Sequence, residues 1–450
     1  MLKGKKAGAT LEGTPMLAKD LETAVEIKDP IHGYIGLTSI EKAILDLKAS
    51  QRLRRISYPA CTHLVYPGAE ITSMGRMPGM MYVTQVFFES IGADSNEIQV
   101  ARLASMLLTL AQGPWANVME EYLAVRGTDR KKLARLILDK SQVNDIVKGS
   151  TYSVDELRTS IEKGVQVRGY RVDLMTVPIN PHLVDSLMRD AYFAGVKYAP
   201  VEFPRLFTHS RILRDHIAVE RGSLFTLESY LSAGANLFEA LYYHKAVRAA
   251  ELMLLRILDE AGSQLFSSPA DDIAPFLQYD DFSFYDLLLT AGSDASEEMS
   301  LASRLFQEYN KRYLIKMAST RAISDDEFLR KLSTADGQFK IESEIANDAG
   351  IDPMYVYVDF PNRLSVSYYP GKYPLDDLML FERGSRGFEL WPVLDMSSVA
   401  RSLGRSMKTV RIYTSRGYRA KVKKSGDSIL EGVDSMGVRL KDERTTTKKR

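Results

Sequence analysis

The chain has 450 residues, enough for two or three domains, and its 45% hydrophobic and 26% charged residues are ordinary for a globular protein. The formal net charge of +1 indicates no class of partner, although residues 401–450 hold 15 Lys and Arg against 5 Asp and Glu. A single cysteine, Cys61, excludes an intramolecular disulfide and argues against a cysteine-based metal site. No apolar segment approaches the ~20 residues of a membrane span, and residues 1–24 lack a signal-peptide core. We therefore expect a cytoplasmic protein with no membrane association.

The first three quarters of the chain are mostly predicted to be helical. Residues 1–24 are rich in Gly and Lys and lack apolar periodicity, so we predict a flexible leader. Val25–Leu37 is extended in character and punctuated by Pro and Gly. Apolar residues at helical spacing then predict a series of helices. These helices are Ser39–Leu47, Val100–Leu110, His182–Ala194, Asn236–Ala261, Asp281–Leu289 and Ser300–Ile315.

The pattern changes after Gly337, where alternating β-branched and aromatic residues predict strands. The predicted strands are Met354–Phe360, Leu364–Tyr369 and Thr409–Tyr413. We therefore predict a mainly α fold with a helical body at residues 25–335 and a smaller α+β lobe at 336–430. Residues 431–450 are basic and poor in apolar residues, so we predict a disordered tail.

Four stretches in a fixed order together resemble the deoxynucleoside triphosphate triphosphohydrolases of the HD superfamily. A weaker match, Tyr243–Lys245, follows them, and the resemblance covers roughly Val25 to Leu258. It implies that the helical body is an HD-type domain and that the chain forms an oligomer, which we expect to be a homodimer. The four stretches are Asp29–Leu37; Gln51–Ile56 with Leu64–Glu70; Arg102–Ala104 with Gly113–Trp115; and Leu183–Tyr192 with Gly195.

The resemblance also implies a hydrolytic divalent metal bound by one His, an adjacent His-Asp pair and a distant Asp. Alignment on the flanking residues places Arg76, Leu108, Thr109 and His182 at these four positions. Leucine has no lone pair to offer, and an arginine cation would repel a metal ion. Gln112 and Asn117 stand where the family has its catalytic histidines. We therefore expect degenerate metal and catalytic sites, without a bound metal or any other cofactor.

A buried arginine at the vacated metal position needs an acidic partner. Asp185 lies one helical turn from His182, so we predict an ion pair between Arg76 and Asp185 that replaces the metal. Met74, Met77, Met80 and Met81 are interpreted as filling the remaining space.

Two sets of residues are candidates for contacts with a nucleotide. The first set is Gln51, Arg52, Arg54 and Arg55, since guanidinium groups suit phosphate, and its alternative is a solvated helix face. The second set is Tyr243, His244 and Lys245, where the resemblance indicates nucleotide contacts and interface packing is the alternative. Leu183 and Ser186 replace a Lys and a Tyr that face the nucleotide in the family, which weakens this hypothesis.

The predicted function is that of a catalytically inactive relative of HD phosphohydrolases with a structural, regulatory or nucleotide-sensing role. One alternative is an active phosphohydrolase with a rearranged site. The other is a module that uses the basic C-terminal region to bind nucleic acid or an acidic protein. Metal analysis, a triphosphate hydrolysis assay and the salt dependence of binding would separate these hypotheses.

Overall fold

The computed structural model describes residues 21–199, 201–291, 295–323, 325–332, 334–360, 375–385, 387–403 and 409–431. Most of the predicted leader and tail, and the predicted strand Leu364–Tyr369, lie outside these ranges. No helix in the described ranges is both long and apolar enough to cross a bilayer.

The α-helices make up most of the described secondary structure. A π-helical turn, Phe238–Tyr242, follows α11, and residues 419–431 are also helical. The α-helices are α1 (Ser39–Leu45), α2 (Lys48–Gln51), α3 (Ser73–Ser90), α4 (Ser95–Leu110), α5 (Asn117–Ala124), α6 (Arg130–Lys140), α7 (Gln142–Lys148), α8 (Val154–Lys163), α9 (Pro181–Ala194), α10 (Phe203–Thr208), α11 (Leu224–Leu237), α12 (Lys245–Leu265), α13 (Ile273–Phe276), α14 (Asp281–Leu289), α15 (Glu297–Asn310), α16 (Asp326–Leu332), α17 (Ala335–Ala349), α18 (Val393–Met396) and α19 (Ser398–Leu403).

The strands form four small sheets. Strands β1 and β2 form a hairpin, as do β3 and β4; the third sheet has the order β10-β9-β6-β5, and the fourth has the order β7-β11-β8. Strands β6 and β9 are parallel, and the other pairs are antiparallel. The strands are β1 (Val25–Asp29), β2 (Gly33–Leu37), β3 (Val165–Val167), β4 (Tyr170–Val172), β5 (Ser210–Leu213), β6 (His216–Glu220), β7 (Lys316–Ala322), β8 (Val356–Asp359), β9 (Leu378–Gly384), β10 (Gly387–Pro392) and β11 (Thr409–Thr414).

Two hydrophobic cores confirm the predicted mainly α fold with a smaller α+β lobe. The larger core joins α3, α4, α9, α11, α12, α14 and α15. The smaller core lies between the β7-β11-β8 sheet and α16, α17 and residues 419–431. It begins at Ala318, before the predicted boundary at residue 336, and β9 and β10 belong to a sheet of the helical body through β6.

The three helices that carry the predicted metal positions have clear terminal signals. Thr72 caps α3 by accepting a hydrogen bond from Gly75 N at 3.1 Å. Asp94 and Glu97 form a reciprocal capping box at the start of α4. Helix α9 has Asn180 as its N-cap and a proline at its first position, and Gly195, with φ of 69°, ends it. Local chemistry therefore fixes where each helix begins.

The predicted long helix Asn236–Ala261 is wrong in one respect, because it is interrupted. The π-helical turn ends at Tyr242, and His244 is extended, with φ of −61° and ψ of 131°. The Nδ1 atom of His244 accepts a hydrogen bond from Ala246 N at 3.3 Å, so a new helix, α12, begins at Lys245. Apolar residues continue at helical spacing through the break, which is why periodicity alone did not reveal it.

Candidate functional site

The positions predicted to replace the metal ligands lie on three helices that pack together. Arg76 is on α3, Leu108 and Thr109 are on α4, and His182 is on α9. Helix α3 contacts both α4 and α9. Close contact between α3 and α9 depends on Gly79, because a Cβ atom there would overlap the side chains of Arg189 and Asp185. All four positions are buried.

Arg76 is fully buried, and each group of its side chain has a partner. Its Nε donates a hydrogen bond to Tyr58 O at 2.9 Å, and Nη1 donates to Ser186 Oγ at 3.3 Å. Nη2 forms an ion pair with Asp190, which also accepts a hydrogen bond from the Tyr242 hydroxyl. The guanidinium carbon lies 4.7 Å from the centre of the Tyr58 ring. A fixed positive charge therefore occupies this part of the site.

The predicted ion pair between Arg76 and Asp185 is wrong, because Asp185 has other partners. Its carboxylate accepts hydrogen bonds from Arg189 at 2.8 and 3.0 Å, and from Nε2 of His32 at 2.7 Å. Despite burial, these two neighbours hold the pKa of Asp185 well below its usual value. Arg76 instead pairs with Asp190, further along α9.

His182 is buried in a neutral form. Its Nε2 atom lies 2.7 Å from Ser105 Oγ. Burial is the main cause that lowers the imidazole pKa to about 3, and the positive charge of Arg130 lowers it further, against the opposing effect of Asp185. At neutral pH this side chain therefore carries no charge and is held by α4.

The α4 positions offer no good metal ligand. Leu108 is a buried core residue. Thr109 Oγ1 donates a hydrogen bond to Ser105 O at 3.0 Å and lies 3.7 Å from the sulfur of Met80. The other three methionines of this segment are buried in the main core, and their interpretation as filling side chains stays a prediction. Within the described ranges, no three His, Cys, Asp or Glu side chains are grouped as a metal site requires.

The two positions where the resemblance implies catalytic histidines have different surroundings. Asn117 is the first residue of α5; its Oδ1 accepts from Ala60 N at 2.9 Å and its Nδ2 donates to Glu251 at 2.8 Å. Gln112 is buried, and neither amide atom of its side chain has a hydrogen-bond partner among the described residues. It lines a cavity of about 10 Å³, which is close to the smallest volume that admits one water molecule. The turn that connects Gln112 to Asn117 is strained, because Trp115 and Ala116 have positive φ angles of 56° and 32°.

The first candidate set for nucleotide contacts does not form one surface. Arg52 is buried and donates hydrogen bonds to the carbonyls of Leu110, Gln112 and Tyr279 at 3.0, 2.7 and 3.2 Å. Burial is the main cause that lowers its pKa to about 9. It therefore satisfies carbonyls at the end of α4, and its burial contradicts the alternative of a solvated face.

The other residues of this set lie nearer the surface. Gln51 Nε2 donates to Leu45 O at 2.8 Å and its Oε1 accepts from the exposed Arg54. Arg55 forms an ion pair with Asp280.

The three residues of the second candidate set have different surroundings, because the chain changes direction at His244. Tyr243 is buried beneath Arg411, whose guanidinium carbon lies 3.5 Å from the ring centre. The ring of His244 contacts that of Tyr66, with centroids 6.3 Å apart. Lys245 is exposed at the first position of α12. Of these three side chains, only that of Lys245 is fully available to a ligand in solution.

Two buried ionic clusters were missed by sequence reasoning. Arg248 contacts Glu121 at 3.0 Å, Glu251 at 2.9 Å and Asp359 at 3.1 Å. Arg102 pairs with Glu41 in the same buried fashion, at 2.7 Å. An arginine within an otherwise apolar helical segment is the sequence signal that could have revealed both clusters, since such a charge is buried only when it is paired.

Comparison with known proteins relates the chain to HD-domain proteins. Residues 201–433, which are 233 of the 450 residues, match the family described as the HD associated region. YwfO, an uncharacterized protein of Bacillus subtilis, is 26% identical over 372 residues, which cover 77% of this chain and 82% of YwfO. Human deoxynucleoside triphosphate triphosphohydrolase SAMHD1 is 27% identical over 107 residues, which cover 22% of this chain and 17% of SAMHD1.

A crystal structure of a hypothetical protein from Aquifex aeolicus has a similar fold. The TM-score is 0.68 at 21% sequence identity, and the match covers 89% of this chain and 99% of that one.

Proposed function

Because this chain belongs to the family defined by the HD-associated region, we propose that it is a non-hydrolysing member with a structural or regulatory role. The observation that carries the proposal is the buried ion pair between Arg76 and Asp190 at the position where the resemblance puts a metal. A guanidinium with this charge and these hydrogen bonds opposes binding of a divalent cation at the same place.

The donor set supports the same proposal. Catalytic zinc sites normally use three protein ligands and keep one position open for water. Of the four aligned positions, only His182 carries a good ligand atom, and its Nε2 is engaged with Ser105. The residues present therefore do not fit the hydrolytic metal that the resemblance implies.

Metal analysis and a hydrolysis assay on the purified full-length chain test the proposal. The protein is incubated with Mg²⁺, Mn²⁺ or Zn²⁺, dialysed, and its metal content is measured by mass spectrometry. Release of triphosphate and of phosphate from a panel of nucleoside triphosphates is measured in parallel. We expect substoichiometric metal and no turnover above that of heat-inactivated protein.

The His182→Ala variant is the matched control for both measurements. About one metal ion per chain that this variant loses, or hydrolysis that it abolishes, would overturn the proposal. Equal background values for the two proteins support it.

A further inference from the structure

A cavity of about 500 Å³ lies between the helical body and the lobe. Residues of α5 and α12 form its side in the body, and residues of α17 and β8 form its side in the lobe. This volume is within the range of small-molecule sites, which is about 300–1,000 Å³. None of the four predicted metal positions lines this cavity, so it is a separate place at which a ligand could bind.

The guanidinium groups that line the cavity are all neutralised by carboxylates that also line it. The ion pairs are Arg248 with Glu121 and Asp359, Arg256 with Glu342, and Arg126 with Asp259. An anionic ligand would have to compete with these carboxylates for the same cations. The cavity therefore does not favour an anion.

Two further carboxylates at the cavity are not paired. Glu260 of α12 is half-buried, and Asp336 of α17 is exposed. Neither carboxylate forms an ion pair or a hydrogen bond with another described residue. The cavity thus has six carboxylates against three guanidinium groups, and the two free carboxylates lie one on each side of it. A cleft lined by an excess of one charge attracts ions of the other sign, here cations.

Aromatic and aliphatic side chains form the rest of the cavity wall. The guanidinium carbon of Arg256 lies 4.8 Å from the ring centre of Tyr357, so one ring of the wall already holds a cation. Phe339, one turn after Asp336 on α17, is 59% exposed, and among the described residues no cation lies over its ring. Three aliphatic side chains also line the cavity, namely Val125, Leu252 and Leu255.

This wall suits an organic cation better than a metal ion. Within the described ranges, no three His, Cys, Asp or Glu side chains are grouped as a metal site requires. Small-molecule sites instead combine mostly apolar walls with a few charged groups that fix the orientation of the ligand. The free carboxylates and the exposed ring of Phe339 therefore favour an ammonium group on an aliphatic chain.

We propose that this cavity binds a linear aliphatic polyamine, with one ammonium group at Glu260, another at Asp336 and the chain along the apolar wall. A polyamine carries its charges at separate points of an apolar chain, as the two free carboxylates require. Because Glu260 belongs to the body and Asp336 to the lobe, the ligand would connect the two parts. The proposal does not depend on whether the chain hydrolyses nucleotides, so the two tests fail independently.

Isothermal titration calorimetry with spermidine tests the proposal on the full chain, in about 50 mM salt to limit screening. The variant E260Q/D336N removes both free charges with little change in side-chain size. It should bind spermidine about 10-fold more weakly. Spermidine should also raise the urea midpoint of the wild type more than that of the variant, because a ligand of the folded state stabilises it.

The matched control is E344Q/D348N, which removes two exposed carboxylates from the same helix, α17, that do not line the cavity. It should bind spermidine like the wild type. Phe339→Leu keeps an apolar side chain but removes the ring, so binding should weaken about 3-fold. Thermal melts followed by circular dichroism establish that each variant is folded.

Three results would overturn the proposal. The first is equal binding by the wild type and the folded E260Q/D336N variant, or equal weakening by the control variant. The second is displacement of spermidine by Mg²⁺ at the same concentration, which would make this a site for any compact cation. The third is tighter binding of a lysine-rich peptide than of spermidine, which would assign the cavity to a partner protein.

Discussion

At the residue scale, the buried ion pair between Arg76 and Asp190 lies where the resemblance implies a metal ligand. Alignment predicted that Arg76 and His182 converge, and in the structure Arg76 donates a hydrogen bond to Ser186, which lies on α9 one turn after His182. It did not identify the acidic partner of Arg76. Helical spacing places Asp185 on the same face as His182, but the competition for that carboxylate from His32, 153 residues away in sequence, is a tertiary contact.

The ion pair between Arg76 and Asp190 should be strongly coupled. Arg76→Met leaves the buried carboxylate of Asp190 without its cation, so unfolding should become easier by about 3–5 kcal/mol. The double variant Arg76→Met/Asp190→Asn should lose less free energy of unfolding than the two single variants together, and the difference should be about 0.5–3 kcal/mol. Urea unfolding of the four proteins measures this coupling, and additive effects would show that the pair does not stabilise the site.

The low pKa of His182 predicts a specific acid sensitivity. In the unfolded chain the imidazole takes up a proton near pH 6.5, whereas in the folded chain it does so only near pH 3. The neutral, buried form of His182 therefore costs no free energy of unfolding above pH 6.5. As the pH falls from 6.5 toward 3, the free energy of unfolding decreases by about 1.4 kcal/mol per pH unit. His182→Gln should remove this part of the slope of unfolding free energy between about pH 6 and 4. Identical slopes in the two proteins would contradict the buried neutral form.

At the scale of elements, the sequence predicts where helices and strands occur. It predicts less well where a helix is interrupted and which strands pair. The predicted strands Met354–Phe360 and Thr409–Tyr413 contain β8 and most of β11, because alternation of β-branched and aromatic residues is a local signal. The break at His244 depends on a π-helical turn and on a capping hydrogen bond. The attachment of β9 to β6 is set by pairing over a separation of about 160 residues, which no local pattern encodes.

Arg52 ties the end of α4 to the loop before α14 through three carbonyl oxygens. Arg52→Met would leave these acceptors buried without their donor, so we expect a loss of about 3 kcal/mol or more in unfolding free energy. Arg54→Met, two residues away and exposed, is the matched control and should change stability by less than about 0.5 kcal/mol. Chemical unfolding measures both. An equal, small effect of the two changes would mean that Arg52 does not position α4.

At the scale of the whole molecule, the helical body and the lobe have separate hydrophobic cores, which are joined by buried ion pairs and by Tyr357 and Tyr413 of the lobe strands, which pack in the larger core. Arg256 contacts Glu342 on α17 at 2.9 Å, and Arg248 contacts Asp359 on β8. The mainly α class and the change to α+β near the C-terminus could be predicted from composition and periodicity. The contacts between the helical body and the lobe could not be predicted in this way, because they include charged residues whose partners are far apart in sequence.

Arg248 is the residue on which cooperation between body and lobe should depend most. It is fully buried and contacts Glu121 and Glu251 in the body as well as Asp359 in the lobe. Arg248→Met would leave carboxylates of both parts close together without their cation, so we expect a loss of about 3–5 kcal/mol. Because the lost contacts span the joint, the two cores should then unfold in separate transitions.

Trp115 and Trp391 are the only two tryptophans, and both lie in the body or in its sheet. Tryptophan fluorescence therefore reports the body, whereas circular dichroism reports both parts. In the Arg248→Met variant the two signals should give different urea midpoints. Arg126→Gln, which removes an exposed ion pair with Asp259, is the control and should keep the wild-type curves within about 1 kcal/mol. Coincident transitions in the Arg248→Met variant would show that the apolar contacts alone couple the lobe to the body.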